Sequence, residues 1–321
     1  MRPKVIVYKK VEPAIAAYLR QWCDVVLFDA LDERTLPDFY RELEDAEGLL
    51  GSGLRIDNEL LDRAPRLKIV SNISVGYDNL DIPAMSSRGV MATNTPDVLS
   101  DTVADLMIGL MLAVARRIPE LDLYVKAGEW KSPAAPGLFG VDVHHKTLGI
   151  IGMGRIGAAI AKRAYHGFDM NILYHNRSRN ADAERLYQAS YTSLEELCRN
   201  ADFICLMAPL TPDTVNLIGE KEFRLMKQTA IFVNGSRGAT VDEAALVRAL
   251  REGEIRGAGL DVFQTEPLGE KHPFQNMANV VTVPHIGSAT AETRMKMAEY
   301  AAENLVLGLQ GKVPPALLNR E

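Results

Sequence analysis

Residues 147–157 read TLGIIGMGRIG, a short apolar run that breaks into Gly152, Gly154 and Gly157 at fixed spacing. The run is too short for a buried helix and reads as a strand. The segment after it, AAIAKRA (158–164), reads as a helix packed on a sheet. A strand, a G-x-G-x-x-G loop and a helix make a phosphate-binding turn. The first glycine allows the sharp turn, the second lets a pyrophosphate approach the backbone, and the third lets the helix lie close to the strand. The helix amino end adds unpaired N–H groups and partial positive charge. Gly152, Gly154, Arg155, Ile156 and Gly157 are therefore the expected cradle of a dinucleotide.

A second strand, NILYHN (171–176), follows at the distance this motif requires. A carboxylate that accepts the adenosine ribose hydroxyls belongs at its end, and none is there. The chain reads Asn176, Arg177, Ser178, Arg179. Two guanidiniums and a hydroxyl suit a 2′-phosphate, so NADPH is the expected cofactor and NADH a possible one. The plainer alternative is a solvated basic loop.

Outward from this core the pattern repeats. Downstream, DFICLMAP (202–209), AIFVNGS (230–236), GAGLDVF (257–263) and VVTVPHIG (280–287) read as further strands. Upstream, KVIVY (4–8), DVVLF (24–28), AEGLLGS (46–52), LKIVSN (67–72) and GVMATN (89–94) alternate with helical segments near 13–22, 36–45, 56–64 and 82–88. Continuous apolar strands alternating with helices mean parallel sheets covered on both faces. With 321 residues the chain has room for two such domains. The segment TVADLMIGLMLAVARR (102–117), which Ser100 or Asp101 could cap, is apolar on nearly all sides. It is expected to be buried between domains or against a second subunit. Residues 119–146 look irregular, a connecting arm. The stretch 288–311 reads as a long helix placed to return to the first domain.

Composition narrows the function classes. A net charge of −6, with 47% apolar and 24% charged residues, describes a globular protein with no bias towards nucleic acid or an anionic membrane. No apolar run reaches the roughly 18 residues of a membrane span, and MRPKVIVYKK has no signal-peptide core, so a cytoplasmic protein is expected. Cys23, Cys198 and Cys205 are odd in number and lack metal-type spacing, which fits buried thiols in a reducing compartment. His144–His145 has no ligand cluster around it, so no metal is expected.

In a doubly wound sheet the ligand lies beyond the carboxyl ends of the strands. Three polar residues meet that condition: Arg237 after IFVNGS, Glu266 in QTEP after GLDVF, and His285 after VVTVP. Each alone has a plain structural reading. Together they match the reduction of a 2-oxo acid by hydride. Histidine titrates in the range needed to give the carbonyl oxygen a proton, and a nearby carboxylate fixes its tautomer. Arginine is the natural fork for an α-keto carboxylate. The expected roles are His285 as proton donor, Glu266 as its orienting partner and Arg237 as substrate clamp.

GIIGMGRIG, VNGSRGATVDEAAL, AGLDVFQTEP and VPHIGSAT resemble the signature blocks of the D-isomer-specific 2-hydroxyacid dehydrogenases, and the resemblance spans nearly the whole chain. It implies an α/β fold of two doubly wound parallel-sheet domains. A Rossmann cofactor domain (100–288) would be inserted in a flavodoxin-like substrate domain (1–99 plus 289–321). Arg237, Glu266 and His285 fall on the family's catalytic positions. NISVGYDNLD (72–81) resembles its substrate loop, in which the N–H groups of Val75 and Gly76 would receive the carboxylate. The resemblance also implies cofactor contacts from Thr102, Asp261 (towards the carboxamide) and Ser288. Further blocks, ISVGYDN and VHHKTLGI among them, are similar to bacterial members that reduce glyoxylate, hydroxypyruvate and 2-ketogluconate, favour NADPH and form homodimers through the cofactor domain. Two rivals remain at this point. One is an enzyme of the same fold for phosphoglycerate, formate or phosphite, although Glu266 is unlike the Gln found in formate enzymes and no regulatory domain is expected after Glu321. The other is a non-catalytic dinucleotide sensor, against which the complete catalytic set speaks.

Overall fold

The computed structural model describes residues 2–133 and 135–319. The chain divides into two compact units, Met1–Leu99 with Ala289–Glu321, and Ser100–Ser288.

The first unit is built on five parallel strands, β1 (Lys4–Val7), β2 (Asp24–Leu27), β3 (Gly48–Gly51), β4 (Ile69–Asn72) and β5 (Met91–Thr93), in the order β2-β1-β3-β4-β5. Val5, Ile6, Val7, Leu49, Leu50, Ile69 and Val70 have no exposed surface. They form a central sheet with helices on both faces, as continuous apolar strands require. Helices begin where the sequence offers a cap. Asp57 accepts the Leu60 N–H and Asp81 the Ala84 N–H, in front of Asn58–Arg63 and Ile82–Ser87. The last helix, Ala291–Leu309, is capped by Thr290 and packs on β3, β4 and β5. A buried polar chain ties it there. Thr93 donates through Oγ1 to Ser71 Oγ at 2.8 Å, and Ser71 donates to the Ala301 carbonyl at 2.7 Å.

The second unit carries β6 (Thr147–Ile151), β7 (Asn171–His175), β8 (Ser190–Tyr191), β9 (Phe203–Leu206), β10 (Ile231–Asn234), β11 (Gly257–Leu260) and β12 (Val280–Thr282). All are parallel, in the order β12-β11-β10-β9-β6-β7-β8. The order reverses at β6, so the glycine loop lies at the topological switch point. Ser193 and Glu196 form a capping box at the helix Leu194–Asn200, and Gly253, at φ +69°, ends the helix Glu243–Glu252.

Three details differ from the sequence reading, and one adds to it. β8, with only two residues, carries no hydrophobic period to detect. The apolar helix begins at Ser100 itself, so Ser100 and Asp101 lie inside it. It packs on β10, β11 and β12 of its own unit and leaves Asp101, Asp105 and Gly109 exposed. Residues 119–146 are not irregular throughout: Ile118–Lys126 is a helix with none of its residues buried. Pro119 there opens a helix rather than breaking one, because the first turn has no use for its missing N–H.

Ser71→Ala removes a donor from the buried chain and leaves Thr93 Oγ1 without its acceptor. We expect a loss of about 1–2 kcal/mol of stability, seen as a lower urea midpoint; an unchanged midpoint would mean the chain is not a structural tie.

Candidate active site

The carboxyl ends of β10, β11 and β12 carry Arg237, Glu266 and His285, and a continuous set of contacts links them. His285 has a left-handed backbone, φ +51°, with its N–H on the Val283 carbonyl at 3.1 Å. Its Nδ1 lies 2.7 Å from Glu266 Oε2, and Glu266 Oε1 accepts the Phe263 N–H at 3.0 Å. Both oxygens of the carboxylate are thus engaged, one by the backbone leaving β11 and one by the ring. A carboxylate at Nδ1 favours the tautomer with hydrogen there and leaves Nε2 as the proton-exchanging atom. The imidazole is 47% exposed, so Nε2 is accessible.

Asp261 secures the other side of the histidine. It is buried, and its two oxygens accept the N–H groups of Ile286 at 2.6 Å and Gly287 at 2.9 Å. Burial pushes its carboxyl above the usual carboxylate range, with the two N–H groups and the His285 ring pulling the other way. The resemblance gave Asp261 a carboxamide contact; in the structure its first role is to hold the two residues after His285. Val103, in the first turn of the Ser100–Ala115 helix, packs against Gly287; Thr102 precedes Val103 and the half-buried Ser288 follows Gly287 in the chain.

Arg237 is half-buried and donates through Nη1 to the Ser236 carbonyl at 2.8 Å. Its own carbonyl is held by Asn234 Nδ2 at 3.2 Å and Thr240 Oγ1 at 2.6 Å. Gly238 then lies flat against the Phe263–Gln264 backbone. A Cβ there would come within 1.9 Å of the Phe263 carbonyl carbon. The same Phe263 holds Glu266, so Gly238 couples the arginine loop to the dyad. Sequence reasoning missed it, although its place next to Arg237 in SRGAT was the available signal. Beside the dyad lies a groove of 460 Å³ walled mainly by Phe263, Pro267, Leu268, Val283 and Pro284.

The glycine loop fits a dinucleotide. Gly152 has φ +101°, and a Cβ on it would strike the Met207–Ala208 backbone; one on Gly157 would strike the Gly152 carbonyl. Gly154 is different: space is open where its Cβ would stand. It caps the helix Arg155–Phe168 without a side chain, and among the described residues no acceptor meets the N–H groups of Ile156 and Gly157. These are the groups a pyrophosphate would use.

The adenosine loop is braced from both ends. Asn180 donates to the Met153 carbonyl at 3.0 Å and caps the next helix through the Ala183 N–H at 3.0 Å. Asn176 gives its carbonyl to the Tyr191 hydroxyl at 3.1 Å. The two predicted phosphate cations are not equivalent. Arg179 is paired with Glu184 through two bonds of 2.9 Å, whereas Arg177 is exposed and forms no hydrogen bond or ion pair among the described residues. Ser178 is exposed beside it. Neither Asn180 nor Glu184 was singled out in the sequence, since Asn and Glu at a helix start read simply as capping.

In the first unit, the loop after β4 has its carbonyls occupied. Asn94 Nδ2 donates to the Val75 carbonyl and Asn72 Nδ2 to that of Gly76, both at 2.8 Å. Among the described residues no acceptor meets the N–H groups of Ser74, Val75, Gly76 or Tyr77. These N–H groups are the ones a carboxylate could use.

Among the described residues no three His, Cys, Asp or Glu side chains are arranged to hold a metal ion, and no helix is long and apolar enough to cross a membrane. Burial pushes the Cys23 thiol up to about 11 and those of Cys198 and Cys205 to about 12, which keeps them protonated and unreactive.

Comparison with known proteins gives the family. Residues 108–287 match the model of the D-isomer specific 2-hydroxyacid dehydrogenase NAD-binding domain. A glyoxylate/hydroxypyruvate reductase B of Escherichia fergusonii is 48% identical over 319 residues, covering 99% of this chain and 98% of the relative. Among solved structures, a protein of Thermus thermophilus superposes with a TM-score of 0.91 at 42% identity, over 98% of this chain and 99% of that one. An NADPH-dependent glyoxylate/hydroxypyruvate reductase of Sinorhizobium meliloti, solved with NADP and malonate, gives 0.87 at 32% identity, over 99% and 97%. The fold and glycine loop suit a dinucleotide, and the family model and reductase relatives make the protein an NAD(P)-dependent oxidoreductase. Within that class, the chain belongs to the D-isomer-specific 2-hydroxyacid dehydrogenase family.

Gly238→Ala would displace Phe263 and with it the Glu266–His285 pair. We expect kcat to fall about 10²-fold, the usual cost of misplacing a reacting group by an ångström, with the circular dichroism spectrum retained. Near-normal turnover would show that the backbone contact does not position the pair.

Proposed function

We propose that this protein is an NADPH-dependent reductase of small 2-oxo acids, glyoxylate and hydroxypyruvate first and 2-ketogluconate among the longer ones, giving D-2-hydroxy acids. The observation that carries this reading is the His285 Nδ1–Glu266 Oε2 contact of 2.7 Å, with Glu266 fixed in turn by the Phe263 N–H. The two relatives named as glyoxylate/hydroxypyruvate reductases supply the substrate class.

The residues divide the work as follows. The N–H groups of Val75 and Gly76 receive the substrate carboxylate, and Arg237 clamps the acid and polarises its carbonyl. Ile156 and Gly157 hold the pyrophosphate with their N–H groups, and Arg177 and Ser178 meet the 2′-phosphate. Bound dinucleotide supplies the hydride that the carbonyl carbon takes. His285 Nε2 gives its proton to the carbonyl oxygen as charge develops there, and Glu266 stabilises the ring while it is charged. A 2-oxo acid, a proton and NADPH thereby become a 2-hydroxy acid and NADP⁺; in the reverse direction His285 is the base. Ile118, Leu123 and Val125 on the Ile118–Lys126 helix are more than half exposed, as are Trp130 and Phe139. Exposed apolar side chains of this number suit burial against a second copy, so we assign the homodimer contact to this segment.

Initial rates with NADPH and NADH on the three acids test the reading; no turnover of any of them overturns it. His285→Asn should lower kcat ~10²-fold or more, as for loss of a general acid, and near-wild-type turnover would remove the proton-donor role. Arg177→Ala should raise KM for NADPH about tenfold while leaving that for NADH within about twofold, the mark of a lost charge-assisted phosphate contact. Equal changes in both would place the phosphate elsewhere.

A further inference from the structure

We infer that Glu184 is a specificity-determining residue for the adenosine end of the cofactor: it returns a carboxylate to the end of β7 from the neighbouring helix, and by pairing with Arg179 it limits the preference for a 2′-phosphate. The inference rests on the dinucleotide reading above and goes beyond it in naming what sets the degree of preference.

A carboxylate that accepts ribose hydroxyls ordinarily ends the second strand of this fold and repels a phosphorylated ribose. Here β7 ends in His175, Asn176 follows, and the position looks vacant in the sequence. Another element brings a carboxylate to the same loop. Glu184, on the helix Ala181–Tyr187, reaches back so that its Oε1 accepts the hydroxyl hydrogen of Tyr174, a β7 residue, at 2.6 Å. The same carboxylate takes Nε and Nη2 of Arg179 at 2.9 Å each. The two bonds use one full edge of the guanidinium, and the charges cancel locally. Of the two arginines in the loop, only Arg177 presents an uncompensated charge.

The pair is also held in register with the phosphate cradle. The Asn180 N–H donates to the Tyr174 hydroxyl at 2.8 Å, while Asn180 Nδ2 holds the Met153 carbonyl between Gly152 and Gly154. The Arg179 guanidinium stands 5.9 Å from the Tyr191 ring centre. Glu184, Arg179 and the glycine loop therefore form one braced unit, and the charge next to the ribose is set by whether Glu184 is present.

The two halves of the ligand can be tested without turnover. Binding of 2′,5′-ADP and 5′-AMP to the full-length enzyme is measured by isothermal titration calorimetry. Glu184→Gln keeps the shape and removes the charge; we expect 2′,5′-ADP to bind about three- to tenfold more tightly with AMP nearly unchanged. Arg179→Ala bares the carboxylate and should shift the ratio the opposite way by a similar factor. Tyr174→Phe loosens the brace but keeps the ion pair, and should leave the ratio unchanged. If Glu184→Gln weakens 2′,5′-ADP, or if Tyr174→Phe moves the ratio as Glu184→Gln does, Glu184 acts only as loop structure and the inference fails. If the unaltered enzyme binds neither compound, the dinucleotide reading fails first.

Discussion

The chemistry proposed for the second unit depends on one backbone hydrogen bond. The Phe263 N–H holds one oxygen of Glu266 and thereby points the other at Nδ1 of His285. A carboxylate on a loop would otherwise sample many rotamers and sacrifice entropy with each contact. Here the strand end fixes it, and Gly238 fixes the strand end by leaving no room between the two backbones. Asp261 completes the arrangement from beneath by taking the two N–H groups that follow the histidine. The imidazole thus has both its ring and its backbone constrained while nearly half its surface remains open.

Burial of Asp261 carries a cost. A carboxylate removed from water resists ionisation, and its raised pKa records that penalty. Two N–H bonds to the charged form offset part of it, so the residue acts as a rigid staple whose strength depends on remaining charged. Donors and acceptors held in place around one imidazole are what the proposed general acid would need.

At the other end of the same sheet, the adenosine loop shows how charge is set by pairs rather than by single residues. Arg177 and Arg179 have the same chemistry, yet Glu184 neutralises one and leaves the other exposed. Tyr174 and Asn180 connect that pair to the glycine loop, so the proposed 2′-phosphate and pyrophosphate contacts would share one scaffold.

Much of this was legible in the sequence because it is written in local period and spacing. The strand-glycine-helix turn at 147–157, the alternation of apolar strands with helices, and the placing of Arg237, Glu266 and His285 just past strand ends need only neighbouring residues to be read. What could not be read were facts set by a residue's place within its element or by which segments meet in space. Pro119 opens a helix because of its place in the first turn. The two-residue strand Ser190–Tyr191 exists because β7 offers it an edge. Arg179 is occupied because a helix returns Glu184 to the strand, and Gly238 matters because Phe263 lies against it. Sequence alone determines which groups carry charge and protons and which segments form strands, since those follow from residue chemistry and period. Only the tertiary structure decides which of those groups meet, because a contact between residues far apart along the chain depends on how sheets and loops close in space.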